Sequence, residues 1–131
     1  LLPVNPPTLA AVDRLYPGNE RVISLWADWE HGRSLWMVLV GALNVGSIRV
    51  LWDPALATNR RDSTPGERRA DAPRRFRAGE EAARFELGSS VVLLAGPGAW
   101  EGLSLLPGQR VLQGQQVARW SSSQVEPGAE S

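Results

Sequence analysis

The dipeptide Gly88-Ser89 sits inside Phe85-Glu86-Leu87-Gly88-Ser89-Ser90-Val91-Val92-Leu93-Leu94, and its two residue types can react with each other. Glycine has no Cβ, so its carbonyl can adopt backbone geometries closed to other residues and be approached closely by the next side chain. Serine supplies a hydroxyl at that distance. Apolar residues on both sides suggest strand ends able to clamp the junction in a strained conformation, as happens at working sites. From spacing alone the ordinary reading is a glycine bulge within a strand, and at this level both readings stay open. A second pair, Gly46-Ser47, reads in the same way as a bulge or a close backbone approach.

Other chemistries are removed by composition. The 131 residues contain no cysteine, which excludes disulfides, thiolate metal sites and cysteine nucleophiles. Lysine is absent too, so a lysine Schiff base, a P-loop lysine and a biotinyl or lipoyl carrier lysine are excluded. No Gly-x-Ser-x-Gly elbow surrounds Ser47 or Ser89, and no His-Asp partnership for a hydrolase is identifiable from the order of residues. The single histidine, His31, reads as a structural or surface residue. No metal-ligand or cofactor-binding spacing is present. Acidic and basic residues balance at 14 each, so no global field draws the chain to nucleic acid. The chain opens on Leu1-Leu2-Pro3-Val4-Asn5-Pro6-Pro7 with neither a signal-peptide pattern nor a long apolar run, and any membrane anchor is expected upstream.

The elements that must position Gly88-Ser89 read as mainly β. Thr8 is expected to cap a short N-terminal helix through Ala10-Ala11-Val12, stopped at Tyr16-Pro17-Gly18. Arg21 to Trp26 is a strand by its β-branched and aromatic content. A polar turn at 28–33 leads into a strand from Ser34 to Val40, and a further strand runs from Val45 to Trp52. In the latter Ile48, Val50 and Trp52 share one face, while Ser47, Arg49 and Leu51 share the other. From Asp53 to Ala78 the composition turns to prolines, small polar residues and arginines, namely Arg60, Arg61, Arg68, Arg69, Arg74, Arg75 and Arg77. That stretch is expected to be a mobile loop, with contact to anionic headgroups as its functional reading. Residues 121–131 read as a polar tail. Of the six tryptophans, Trp36 and Trp52 are expected in the core and Trp100 near a lipid surface.

One internal echo stands out by spacing. Gly79-Glu80-Glu81-Ala82-Ala83-Arg84-Phe85 recurs in kind as Gly114-Gln115-Gln116-Val117-Ala118-Arg119-Trp120. The expectation is two similar halves of a small barrel-like or sandwich β domain, with Gly79 and Gly114 at equivalent turns. Coincidence over a short window is the competing explanation.

Several segments together resemble phosphatidylserine decarboxylase, the pyruvoyl-dependent family that makes phosphatidylethanolamine. They are Val4-Asn5-Pro6, Asn19-Glu20-Arg21-Val22, Asp28-Trp29-Glu30-His31-Gly32, Val40 to Arg49, Gly79-Glu80, Phe85 to Ser90, Pro107-Gly108-Gln109 and Gly114-Gln115. Order and spacing agree as well as residues. The Asp-Trp-x-His-Gly and Val-Gly-Ser-Ile-Arg segments resemble the mitochondrial type and its bacterial relatives most, and the arginine-rich, lysine-free composition suits a bacterium with GC-rich DNA. The family signature Leu-Gly-Ser-Thr stands here as Leu87-Gly88-Ser89-Ser90, a change that keeps the hydroxyl and loses a methyl. Pro3 stands where some relatives have serine.

The resemblance implies that the Ser89 hydroxyl attacks the Gly88 carbonyl, converting the amide to an ester. β-Elimination then releases Gly88 as a carboxyl terminus, and the dehydroalanine left behind takes up water and loses ammonia to become a pyruvoyl group. Residues 1–88 would close the β chain and residues 89–131 would form the α chain of one catalytic domain. The pyruvoyl ketone condenses with the amine of phosphatidylserine and accepts the electrons released as carbon dioxide leaves, so a self-made carbonyl replaces the missing lysine. The implied partners are phosphatidylserine, a membrane surface and the two chains of one precursor. The implied location is the cytoplasmic side of a bacterial inner membrane, with the mitochondrial inner membrane as the alternative. The family's assisting histidine and its orienting aspartate lie upstream of the segment where this chain begins, so the chain reads as a carboxyl-terminal portion that is slow or inert in self-cleavage by itself. The competing function is a non-catalytic barrel-sandwich-like module that binds lipid or a partner.

Overall fold

The computed structural model describes residues 6–14, 19–28, 30–42, 47–56, 58, 66–67, 74–86, 90–96, 99–102 and 105–122. The described part is mainly β. A short helical stretch, α1 (Pro6–Ala11), is followed by seven strands: β1 (Arg21–Asp28), β2 (Arg33–Val40), β3 (Ile48–Val50), β4 (Ala83–Phe85), β5 (Ser90–Ala95), β6 (Trp100–Glu101) and β7 (Arg119–Trp120). They form three separate sheets, ordered β1-β2-β5, β3-β4 and β6-β7. No barrel closes among the described residues. Closure requires every strand to pair on both edges, and β3, β4, β6 and β7 each have one partner and only two or three residues with which to pair.

Thr8 lies inside α1, which opens at Pro6, where sequence had Thr8 as the cap. Proline fits the first helical turn because it lacks an N–H that would have no partner there in any case. The Val12 amide donates to the Thr8 carbonyl at 2.9 Å and closes the last turn. β1 and β2 each run longer than the composition suggested: β1 reaches Asp28 and β2 begins at Arg33.

The chain divides into two compact units. The first comprises residues 1–23 and 38–92. Its core is Val22, Leu39, Val40, Ala42, Ile48 and Val50, the last two almost wholly buried. The predicted face of β3 holds: Ile48 and Val50 point inward while Arg49 between them is exposed. The strand ends at Val50, two residues short of the sequence reading, and Leu51 and Trp52 form a bend. Trp52 is half-buried, edge-on to Phe76 with ring centroids 6.4 Å apart. Arg74 lies over the Phe76 ring at 5.1 Å and donates to the Leu51 carbonyl. That arginine of the Asp53 to Ala78 stretch is therefore engaged with the protein, while Arg60, Arg61, Arg68 and Arg69 lie outside the described residues.

The second unit comprises residues 24–37 and 93–131. Its buried residues are Ala99, Arg33 and Ser121. The β6–β7 ladder pairs Trp100 with Trp120 and Glu101 with Arg119, and the Ser121 amide extends it by donating to the Ala99 carbonyl at 2.9 Å. The tryptophan expectations need correction. Trp36 is 47% exposed, whereas Trp100 is half-buried against Trp120, with centroids 6.4 Å apart. Trp36 alternates outward with Ser34 along β2, and Trp100 is held by the partner strand that sequence could not supply.

Each unit also contains a turn of the same construction, and the second contains two. The turns are Arg77-Ala78-Gly79-Glu80, Leu106-Pro107-Gly108-Gln109 and Leu112-Gln113-Gly114-Gln115. Their glycines have φ of +82°, +79° and +77°. In every case the fourth amide donates to the first carbonyl at 3.0 Å. The fourth side chain returns the favour, its Oε accepting from the first residue's amide at 2.9 to 3.0 Å. A positive φ at the third position explains the glycines, and the returning Oε explains why Glu or Gln follows. The echo is thus local: Gly79 leads to β4 and Gly114 to β7, and each strand ends six residues beyond its glycine. The turn signalled by Pro107-Gly108 proves to be a third copy of the same construction.

Candidate active site

The signature Leu87-Gly88-Ser89-Ser90 lies in the link between β4 and β5. Leu87, Gly88 and Ser89 are outside the described residues, and Ser90 is the half-buried first residue of β5. The strands on either side belong to different sheets, β4 to the pair with β3 and β5 to the three-stranded sheet. Residues 86–89 therefore join two independently hydrogen-bonded strands.

The β4 side of the link is fixed from β3. The register places Ile48 opposite Phe85, Arg49 opposite Arg84 and Val50 opposite Ala83, and the Leu51 amide continues it by donating to the Ala82 carbonyl at 2.8 Å. Glu86, the last described residue before the signature, accepts from Arg49 Nε at 2.5 Å. Both side chains are largely exposed, 65% for Arg49 and 49% for Glu86, so the pair contributes little stability, roughly 0–1 kcal/mol. Its effect is to hold the chain two residues ahead of Gly88.

Behind this ladder end the backbone is strained. Ser47 has φ of +79°, a region that costs a non-glycine residue about 1–2 kcal/mol. Its conformation is held from the next residue on: Ile48 is fully buried and its amide donates to Thr58 Oγ1 at 2.9 Å. Thr58 Oγ1 donates in turn to Glu20 Oε1 at 3.1 Å. The Glu20 carbonyl accepts from the Gly41 amide at 2.9 Å. Ser47 precedes β3 and Glu86 follows β4, so the strained serine and the start of the signature lie at one end of one ladder. The bulge reading of Gly46-Ser47 becomes a left-handed serine at the mouth of β3. Gly46 itself lies outside the described residues.

A separate cluster occupies the β1–β2 turn. His31 Nδ1 donates to Asp28 at 3.0 Å, and the buried Arg33 donates to Asp28 Oδ2 at 2.7 Å. The hydrogen bond from His31 holds the Asp28 carboxyl below the usual carboxylate range, with Arg33 adding to the effect and desolvation opposing it. The Arg33 guanidinium also sits 5.7 Å from the Trp120 ring centre, and its Nε is buried with no hydrogen-bond partner among the described residues. The turn is closed by the His31 amide donating to the Asp28 carbonyl at 3.3 Å. His31 thus serves the turn, consistent with the structural role read from sequence.

Sequence reasoning missed the Arg49–Glu86 pair and the Glu20–Thr58–Ile48 relay. Glu86 adjoins the signature in sequence, but its partner is 37 residues away and only the ladder register brings them together. Among the described residues no group of three or more His, Cys, Asp or Glu side chains is placed to hold a metal ion. No helix of the described residues is long and apolar enough to cross a membrane.

The site defines a mainly β chain with a Gly-Ser bond in the link between two sheets. Comparison with known proteins gives that arrangement a family. The family model for phosphatidylserine decarboxylase matches residues 1–119. The phosphatidylserine decarboxylase proenzyme of Marinobacter nauticus is 43% identical over 99 residues, covering 76% of this chain and 34% of its own. That of Chromobacterium violaceum is 43% identical over 99 residues, covering 74% of this chain and 35% of its own. That of Helicobacter pylori is 39% identical over 93 residues, covering 71% of this chain and 34% of its own. The chain belongs to the phosphatidylserine decarboxylase family. It spans about a third of the length of these relatives. No solved structure matches it.

Proposed function

We propose that the chain is part of a phosphatidylserine decarboxylase and carries, at Gly88-Ser89, the bond at which the proenzyme cuts itself. Family membership supports the activity, and the relatives' designation as proenzymes supports the processing. The observation that carries the assignment to this bond is the position of Leu87-Gly88-Ser89-Ser90 between β4 and β5. A link between two separately paired strands can be cut without either end losing its sheet. After cleavage the β3–β4 ladder and the Arg49–Glu86 pair keep the end of residues 1–88 in place. β5 keeps the start of residues 89–131.

A pyruvoyl group made from Ser89 fits the residues present: the signature serine supplies the carbon skeleton, and these 131 residues hold no lysine whose amine would condense with the ketone in place of the substrate's. When formed, the group supplies a ketone that takes up the substrate amine and accepts the electrons of the departing carboxylate. The chain's own residues do the positioning. Arg49 and the ladder set the approach to Gly88, and Ser90 opens the strand that presents residue 89. The reading places phosphatidylserine as the substrate and a membrane surface as its source, on the cytoplasmic side of a bacterial inner membrane.

Intact masses of the full-length product test the proposal. The wild type should give two chains, the smaller beginning at position 89 with a blocked terminus, and Ser89→Ala should give one chain with no decarboxylation. Two chains from Ser89→Ala would overturn the assignment.

A further inference from the structure

The tandem turns at 106–109 and 112–115 hold two leucines in the open. Leu106 is 74% exposed and Leu112 65% exposed, and Val111 between them is 46% exposed. Each leucine is the first residue of its turn, and both its backbone groups are committed: the carbonyl to the fourth amide, the amide to the fourth side chain. Their outward presentation is therefore built into the backbone and does not depend on a free rotation of the loop. The third turn of this construction, in the first unit, begins with Arg77, so the leucines are not demanded by the turn.

The surroundings select the kind of surface these leucines meet. From Gly102 to Ala118 the sequence has one charged residue, Arg110, and no acidic one. Arg110 is exposed and immediately precedes Val111 and Leu112. Aliphatic tips flanking a cation, with glutamines around them and no negative charge, match the boundary of an anionic bilayer. There the alkyl groups enter the acyl region and the guanidinium stays with the phosphates.

We infer that the tandem turn of residues 106–115 is a membrane-contact site, at which Leu106, Val111 and Leu112 enter an anionic phospholipid surface and Arg110 contacts its phosphates. The inference rests on the reading that this chain handles a phospholipid, and it adds the surface by which it would meet one. Each leucine contributes independently, because each is fixed by its own turn.

The absence of cysteine from the 131 residues permits a site-directed test in the full-length proenzyme, with any cysteines elsewhere in it replaced. Leu106→Cys, Leu112→Cys and the control Glu30→Cys, at an exposed acidic position, each carrying an environment-sensitive fluorophore, are mixed with vesicles of phosphatidylcholine containing phosphatidylserine. Labels at 106 and 112 should shift to the blue and become shielded from an aqueous quencher, and the label at 30 should not. Leu106→Ser and Leu112→Ser should each weaken vesicle partitioning about tenfold. They should leave turnover of a short-chain, water-soluble phosphatidylserine unchanged. Labels that remain aqueous with vesicles overturn the inference. So do labels already blue-shifted without vesicles, which would mean that another part of the proenzyme covers the turns. A shift that grows with protein concentration alone would assign the surface to a second copy and overturn it equally. Failure of the functional reading shows separately, as no turnover of the soluble substrate by the wild type.

Discussion

Replacing Gly41 with alanine would put a Cβ 2.8 Å from Glu20 Cγ and 3.0 Å from Glu20 Oε1. Ordinary carbon contacts lie at about 3.5–4.0 Å, so Glu20 must give way by most of an ångström. The backbone cannot supply the movement cheaply, since the Gly41 amide is bonded to the Glu20 carbonyl at 2.9 Å. The side chain must move instead, and it carries the bond from Thr58 Oγ1, which in turn receives the amide of the fully buried Ile48. Overpacking strain of about 1 kcal/mol and the weakening of one hydrogen bond, another ~1 kcal/mol, give an expected loss near 2 kcal/mol. Urea unfolding of the single-chain Ser89→Ala protein, followed by tryptophan fluorescence, measures it directly. Because the cost passes through one side chain, Glu20→Ala should absorb much of it. The double variant should be more stable than the sum of the single losses predicts, by about 1 kcal/mol. A Gly41→Ala protein within ~0.5 kcal/mol of the parent, or an additive cycle, would refute the reasoning.

Ser47→Gly should stabilise the protein by about 0.5–1 kcal/mol, since glycine removes the strain of φ +79° and gives back part of it in unfolded-chain entropy; a loss of stability in the same urea assay would mean that the hydroxyl has a partner. Gly79→Ala and Gly114→Ala should each cost about 1–2 kcal/mol from backbone strain alone, because nothing lies within 4 Å of either added Cβ, and equal losses at the two sites in thermal unfolding would verify the equivalence of the turns. Asp28→Asn should lower the melting temperature at neutral pH by replacing the anionic partner of buried Arg33 with a neutral amide. The folded-state pKa of Asp28 is depressed, so its contribution is complete above the unfolded-chain carboxylate pKa of about 3.9 and disappears as pH falls through the lower folded value. The gap between wild type and Asp28→Asn should therefore close as pH is taken from about 5 towards 2.

What could be read from sequence followed from local periodicity. Ile48, Arg49 and Val50 alternate in, out and in as a period of two requires, and Arg21–Asp28 and Arg33–Val40 form a hairpin about a short polar turn. Gly79 and Gly114 were legible as equivalent turns because a positive φ leaves a glycine and the returning side chain leaves a Glu or Gln, both visible in the letters. Pro107-Gly108 was legible as a turn signal but not as a third copy, because its flanks, Leu106-Pro107 and Arg110-Val111, do not repeat those of the other two. The barrel failed for a different reason. Alternation predicts that strands exist, but which edges pair depends on contacts distant in sequence. β5 shows the same limit: Val91, Val92, Leu93 and Leu94 form an apolar run in the letters, and all four are 36–55% exposed on a strand at the edge of its sheet.

The site divides along the same line. Spacing read Gly88-Ser89 and Gly46-Ser47 alike, and it was the Leu87-Gly88-Ser89-Ser90 signature that singled out the first pair. The ladder adds a difference that the letters do not show. Ser47 leads into β3, whose next residue is buried and bonded on both sides, so a break there would release a strand that anchors the first unit's core. Gly88-Ser89 instead lies beyond the last paired residue of β4 and before the first residue of β5, with Arg49 reaching across to Glu86 on the near side. The strained Ser47 is thus tied into the β3–β4 ladder, and the link to β5 departs from that same ladder end.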